Sequence, residues 1–87
     1  GKVVMSIFLK EDGEGFFRVS VRSKKGISAN KCATRYFHGG GHERASGGRL
    51  FFSRTDGVPA DINAPGEAES YIVRSVAEFF KSGEYES

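Results

Sequence analysis

The sequence predicts an α+β fold: a single two-layer domain spanning residues 1–87, in which a small mixed β-sheet of about three strands packs against two main helices, with a short helix after a glycine-rich loop. Three observations carry that expectation. Residues 16–23 alternate apolar and polar with the period of a half-buried strand. Two later segments, 29–37 and 65–81, place apolar residues at helical spacing. A chain of 87 residues that is 38% hydrophobic, with eight Phe and three Tyr, supplies one core and little more.

The elements follow in order. Val3 to Lys10 is an apolar run rich in Val, Ile and Phe, too short for a stable helix, and reads as a strand buried on both faces. Glu11-Asp12-Gly13-Glu14-Gly15 has the composition of a hairpin turn. From Phe16 to Ser23, Phe17, Val19 and Val21 point one way and Arg18, Ser20 and Arg22 the other. Ser28 is placed to N-cap a helix from Ala29 to Phe37, whose stripe Ala29, Cys32, Ala33, Tyr36 and Phe37 reads as core. After Gly39-Gly40-Gly41, residues 42–46 form the expected short helix, ended by Gly47 and Gly48. Arg49 to Arg54 is the third strand and Thr55 to Asn63 a loop. Pro65 opens the last helix, which runs to Lys81, stops at Gly83 and turns Ala68, Tyr71, Ile72, Val76, Phe79 and Phe80 inward. A sheet this thin has exposed edges.

Composition excludes several classes. A lone Cys32 permits no internal disulfide framework and fits a reducing, cytoplasmic setting. No stretch approaches the ~20 apolar residues of a membrane-spanning helix, and no signal-peptide pattern opens the chain. With His38 and His42 as the only histidines and Asp12, Asp56 and Asp61 scattered, a two-metal centre cannot be assembled from this segment. Ser20, Ser23 and Ser46 lack a base-and-acid partnership that would make a nucleophile.

Charge is unevenly distributed. Between Arg18 and Arg54 there are nine basic residues and one acidic residue, Glu43, a net of +8; the rest of the chain holds four basic and ten acidic residues. Such a block faces either solvent or an anionic partner. The glycine run inside it favours the partner. Consecutive glycines are costly to order, and they allow backbone N–H groups to approach a ligand without a Cβ in the way. A short helix starting at His42 would add its positive end, making a cradle for phosphate to which Arg18, Arg22 or Arg44 could contribute guanidinium groups. A flexible turn is the simpler reading of the same glycines, and His38 reads as a satisfied surface or core residue.

Val19-Ser20-Val21-Arg22-Ser23, a helix of about ten residues, and then Gly39-Gly40-Gly41-His42-Glu43-Arg44-Ala45-Ser46-Gly47 resemble the C-terminal DHH-associated domain of the DHH phosphoesterase superfamily, which pairs a V-S-x-R-S strand with a G-G-G-H-x-x-A-[AS]-G loop. The chain looks most like the compact branch of bacterial oligoribonucleases, pAp phosphatases and cyclic-dinucleotide phosphodiesterases. That resemblance implies an N-terminal DHH domain holding two Mn²⁺ (or Mg²⁺) ions, absent from this sequence, so that the 87 residues alone would be inactive. It implies that Gly39, Gly40, Gly41 and His42 grip the substrate with Arg22, and that Arg18, Ser23 and Arg44 are further candidates. Ala45 and Gly47 would let the short helix pack closely. Many members carry a fourth glycine where this chain has His38. The implied substrates are short oligoribonucleotides, pAp or cyclic dinucleotides, with homodimerisation of the full-length enzyme left open and no membrane partner. Two alternatives stand beside this: a non-catalytic RNA-binding module, and part of an exopolyphosphatase-like hydrolase.

Overall fold

Hydrogen-bonding capacity and side-chain parity settle the architecture. In the computed structural model, which describes residues 2–87, the chain forms β1 (Met5–Glu11), β2 (Phe16–Ser23), α1 (Ala29–Tyr36), β3 (Gly40–Gly41), β4 (Ala45–Phe51), a single 3₁₀ turn (Pro65–Glu67) and α2 (Ala68–Lys81). The strands lie in the order β1-β2-β4-β3, with every neighbour antiparallel. The α+β expectation is met, with two differences: the sheet has four strands, and it is antiparallel rather than mixed.

The β1–β2 hairpin closes through Gly13 and Gly15, both at positive φ (85° and 91°). Its register puts Ile7 beside Val21 and Phe8 beside Ser20. On β2, Val19 and Val21 are buried while Arg18, Ser20 and Arg22 are exposed, as the alternation requires. β1 does not follow the expectation of a strand buried on both faces. It is an edge strand paired on one side only, and Phe8 and Leu9 remain 62% and 38% exposed. An apolar run registers the preference for burial; it does not say whether a covering layer exists on each face.

The larger correction concerns the segment after the triple glycine. There is no short helix at residues 42–46. The His42 N–H donates to the Ala45 carbonyl at 2.8 Å, closing a tight turn between β3 and β4, and β4 begins at Ala45 rather than Arg49. A helix of one turn gains few hydrogen bonds for its nucleation cost. As a strand, the same residues pair with β2 from Arg22↔Ala45 through Phe16↔Phe51. The glycines permit this because the chain leaving α1 runs directly over β4. A Cβ on Gly39 would strike the Gly47 carbonyl, and one on Gly48 would strike the Phe37 carbonyl.

Ser28 caps α1 as expected, its Oγ accepting from the Lys31 N–H at 3.0 Å. The helix ends with His38 in the left-handed region (φ 56°) and the Gly39 N–H returning to the Ala33 carbonyl at 3.1 Å. On α2, Ala68 and Phe79 of the expected stripe are buried; Tyr71, Ile72, Val76 and Phe80 are half-buried, and Ser75 joins the buried set with its hydroxyl on the Tyr71 carbonyl. The Tyr71 hydroxyl donates to the Tyr36 carbonyl at 2.9 Å, tying the helices together. The core, Val19, Val21, Ala29, Cys32, Ala33, Phe37, Leu50, Ile62 and Phe79, therefore lies between the helices and one face of the sheet. No helix of the described residues is long and apolar enough to cross a membrane.

Two outcomes follow. Gly48→Ala drives a methyl group into the Phe37 backbone and should cost at least the ~1–3 kcal/mol typical of overpacking, whereas Gly66→Ala, which meets nothing within 4 Å, should stay within about 0.5 kcal/mol of wild type in urea titrations. Burial pushes the Cys32 thiol up to about 11, so a thiol reagent at neutral pH should label it only at the rate of global unfolding. Rapid labelling of the native chain would contradict the packing of α1.

Candidate anion-binding site

Because helices cover one face of the sheet, the other face carries whatever β2 and β4 turn away from the core. Register pairs Arg18 with Arg49, Ser20 with Gly47 and Arg22 with Ala45 on that face. Two arginines directly opposite each other repel. One carboxylate relieves the pair: the Arg18 Nε donates to Asp12 Oδ2 at 2.6 Å. Among the described residues Arg49 has no carboxylate partner, and its guanidinium lies 4.9 Å from the centre of the Phe16 ring, with that of Arg18 5.9 Å from the same centre. Phe16 is thereby covered on a face otherwise open to water, 4% exposed and tilted against Phe51.

The small residues Ser20 and Gly47 leave an open groove of about 580 Å³ between these arginines, His38 and Phe51. His38 is fixed by Asp61, whose two carboxylate oxygens lie 2.9 and 3.0 Å from its Nε2. Asp61 is fixed in turn, accepting the Phe51 N–H at 2.9 Å, while the N–H groups of Asp61 and Ile62 donate to the Phe51 carbonyl. The loop before α2 is thus clamped to the end of β4, and the imidazole stands edge-on to Phe51, 5.3 Å between ring centres.

The residues expected from sequence are distributed differently from the cradle envisaged. The Gly39 N–H is bound to the Ala33 carbonyl, the Gly41 N–H to Asn30 Oδ1 at 3.0 Å and the His42 N–H to the Ala45 carbonyl. Those amides are spent inside the fold, and the proposed main-chain cradle with a helix end behind it is not there. Gly40 is small for a related reason, since a Cβ would crowd Asn30 Oδ1 and Thr34 Oγ1. Ser23 is structural: its Oγ sits 2.7 Å from the Ile27 carbonyl and 3.0 Å from that of Glu43. His42 and Arg44 are exposed at the β3–β4 turn. Arg22 lies on the outer face and borders a second groove of about 470 Å³ with Val3, Val4, Met5, Ser6 and Lys24. Four positions along β2 separate it from Arg18, about 13 Å at strand rise.

Arg18 is the one expected residue that the groove unites with others, and its companions Arg49, His38 and Asp61 were not among the candidates. Arg49 would have been found by continuing strand parity back to Ala45. Asp61 lies 23 positions from His38 in the chain, and nothing local links them. No group of three or more His, Cys, Asp or Glu side chains that could hold a metal occurs among the described residues.

Fold and face together define a helix-backed antiparallel sheet with arginines on its open face and, among the described residues, no metal-donor cluster. The family model of the DHHA1 domain matches residues 1–54, more than half of the sequence, and the chain belongs to that family. The crystal structure of an exopolyphosphatase-related protein from Bacteroides fragilis is similar, with 31% sequence identity and a TM-score of 0.67, over 88% of this chain and 19% of that one. This chain therefore spans about a fifth of that protein's length. No curated protein matches it.

Removing the Asp61 carboxylate should be felt in stability. Asp61→Ala leaves the Phe51 N–H unpaired and should cost ~1–3 kcal/mol, read as a lower urea midpoint at unchanged slope.

Proposed function

We propose that this chain is the substrate-binding domain of a DHH-type phosphoesterase, a hydrolase whose Mn²⁺ or Mg²⁺ ions and attacking water belong to a separate catalytic domain. It binds phosphate on the helix-free face of its sheet. The observation that carries this reading is the cross-strand pair Arg18–Arg49, two facing guanidinium groups with a single carboxylate on one of them, over a floor cleared by Ser20 and Gly47. Such a pair is unfavourable alone and is relieved by an anion that accepts from both forks. Arg22, with Arg44 at the neighbouring turn, extends the cationic surface beyond one phosphate, and His42 stands beside them with a ring that can hydrogen-bond, which suits short oligoribonucleotides, pAp or cyclic dinucleotides. The Gly39–Gly41 segment serves by holding that turn against α1.

A second reading has one observation in its favour: the similar structure is described as exopolyphosphatase-related. Polyphosphate needs the same cations and no contact to a base.

Titration of the 87-residue chain with pAp, a short oligoribonucleotide and tripolyphosphate tests both. Arg49→Ala and Arg18→Ala should each weaken binding about tenfold or more, the usual consequence of losing a charge-assisted hydrogen bond, while Arg74→Ala on exposed α2 should leave it unchanged. Wild-type affinity in the Arg18/Arg49 double variant would overturn the site. Equal competition by tripolyphosphate and pAp favours the polyphosphate reading.

A further inference from the structure

The imidazole in the groove is not required by the backbone that carries it. His38 occupies the position just beyond α1 where a left-handed residue ends the helix, a place glycine fills at no steric cost. A side chain there costs about 1 kcal/mol. What the chain has in return is a ring held by a carboxylate on the wall of a groove whose other lining residues with charge are Arg18 and Arg49.

Asp61 fixes the chemistry of that ring. An ionised carboxylate only accepts, so Nε2 carries a proton and donates it to Asp61, which leaves Nδ1 as the one ring nitrogen free for a ligand. In the neutral ring Nδ1 accepts; in the imidazolium it donates. A phosphodiester also only accepts, so contact between the two requires the charged ring. The charged groups around His38 are Arg18 on β2, Arg49 on β4 and Asp61 on the preceding loop, with Asp12 bound to Arg18. From α2, Tyr71 approaches Asp61, and burial first, then the arginine-free carboxylate of Asp61, pushes its phenol up, so it stays neutral. Two guanidinium groups and two carboxylates cancel. A proton taken up at His38 would therefore leave the groove with one net positive charge.

We propose that His38, oriented by Asp61, is a specificity-determining contact that donates from Nδ1 to a phosphate oxygen, so that phosphate binding in this groove takes up one proton. The inference rests on the reading of this face as a phosphate site. It assigns the groove to a phosphate diester or inner polyphosphate unit whose own charge does not change near neutral pH.

The test uses UpU, whose single diester does not titrate in the range of interest, and tripolyphosphate as a second probe. Binding is measured from about pH 8 to about pH 6, across the ordinary imidazole range. Wild-type affinity for UpU should rise as pH falls, by at most tenfold per pH unit, the limit for one proton. His38→Gly keeps the left-handed backbone and removes the ring; His38→Asn tolerates the same φ and does not titrate. Both should bind about as wild type does at the alkaline end and lose the pH dependence. His42→Ala should retain it. A pH slope unchanged in folded His38→Gly and His38→Asn, with Arg49→Ala still impaired, overturns the role of His38 and leaves the phosphate site standing. Binding of neither probe to wild type, or wild-type binding by Arg49→Ala, overturns both.

Discussion

The contact on which this structure depends is between two stretches of backbone. Where the chain leaves α1 it passes over β4 with no side chain between, the Arg49 N–H donating to the Phe37 carbonyl at 2.6 Å and Gly39 resting on Gly47 and Gly48. Packing this close brings main-chain groups within hydrogen-bonding reach that even a methyl group would hold apart. Two consequences follow. The end of α1 is delivered to the edge of the groove, so His38 meets Phe51 and Asp61. Gly47, where a Cβ would press on the Val19 carbonyl, leaves the outer face of the sheet bare between Arg18 and Arg22.

The same contact explains which parts of the fold could be read in advance. β2 was legible because each of its residues commits to a face, and the partners that enforce the choice, helices on one side and water on the other, are general to any two-layer domain. The Ser28 cap and the α2 stripe were legible because their determinants lie within a few residues of one another. The glycine segment was misread for a physical reason. A run of glycines states that something approaches the backbone closely, and it does not state whether that is a phosphate or another strand. Here the approaching groups are Gly47 and Gly48, themselves glycines, and the amides that looked available are bound to Ala33, Asn30 and Ala45. β1 failed similarly: Phe8 is as apolar as any core residue, yet whether a layer covers it is decided outside its own segment.

The candidate site was partly visible as charge and hardly at all as geometry. The basic block raised the expectation of an anionic ligand, but residue order could not say that Arg18 faces Arg49, since that follows only from β4 starting at Ala45. Nor could it reveal that Asp12 and Asp61, which look scattered along the chain, each hold one side chain of the groove in place, Arg18 and His38. Ordering a long arginine costs rotamer freedom, and a carboxylate or an aromatic ring that holds it beforehand reduces what binding must supply. Asp12 does this for Arg18, and Phe16 for both arginines.

A division within the motif itself follows. Gly39, Gly41, Gly47 and Gly48 act on the fold, since each is placed where backbone or a neighbouring side chain would collide with a Cβ. Ser23 acts on the fold as well, pinning the end of β2 to the β3–β4 turn through the Glu43 carbonyl. Among the described residues, the side chains of Arg22, His42 and Arg44 satisfy no buried group and are exposed at one end of the sheet, while Arg18, Arg49 and His38 share the groove at the other. A ligand reaching both ends must extend along β2 by about four residues, or roughly 13 Å. That span exceeds a single phosphate group. A cationic face of this length, with the small residues between its two ends, supports the proposed reading of a ligand that carries negative charge at more than one point.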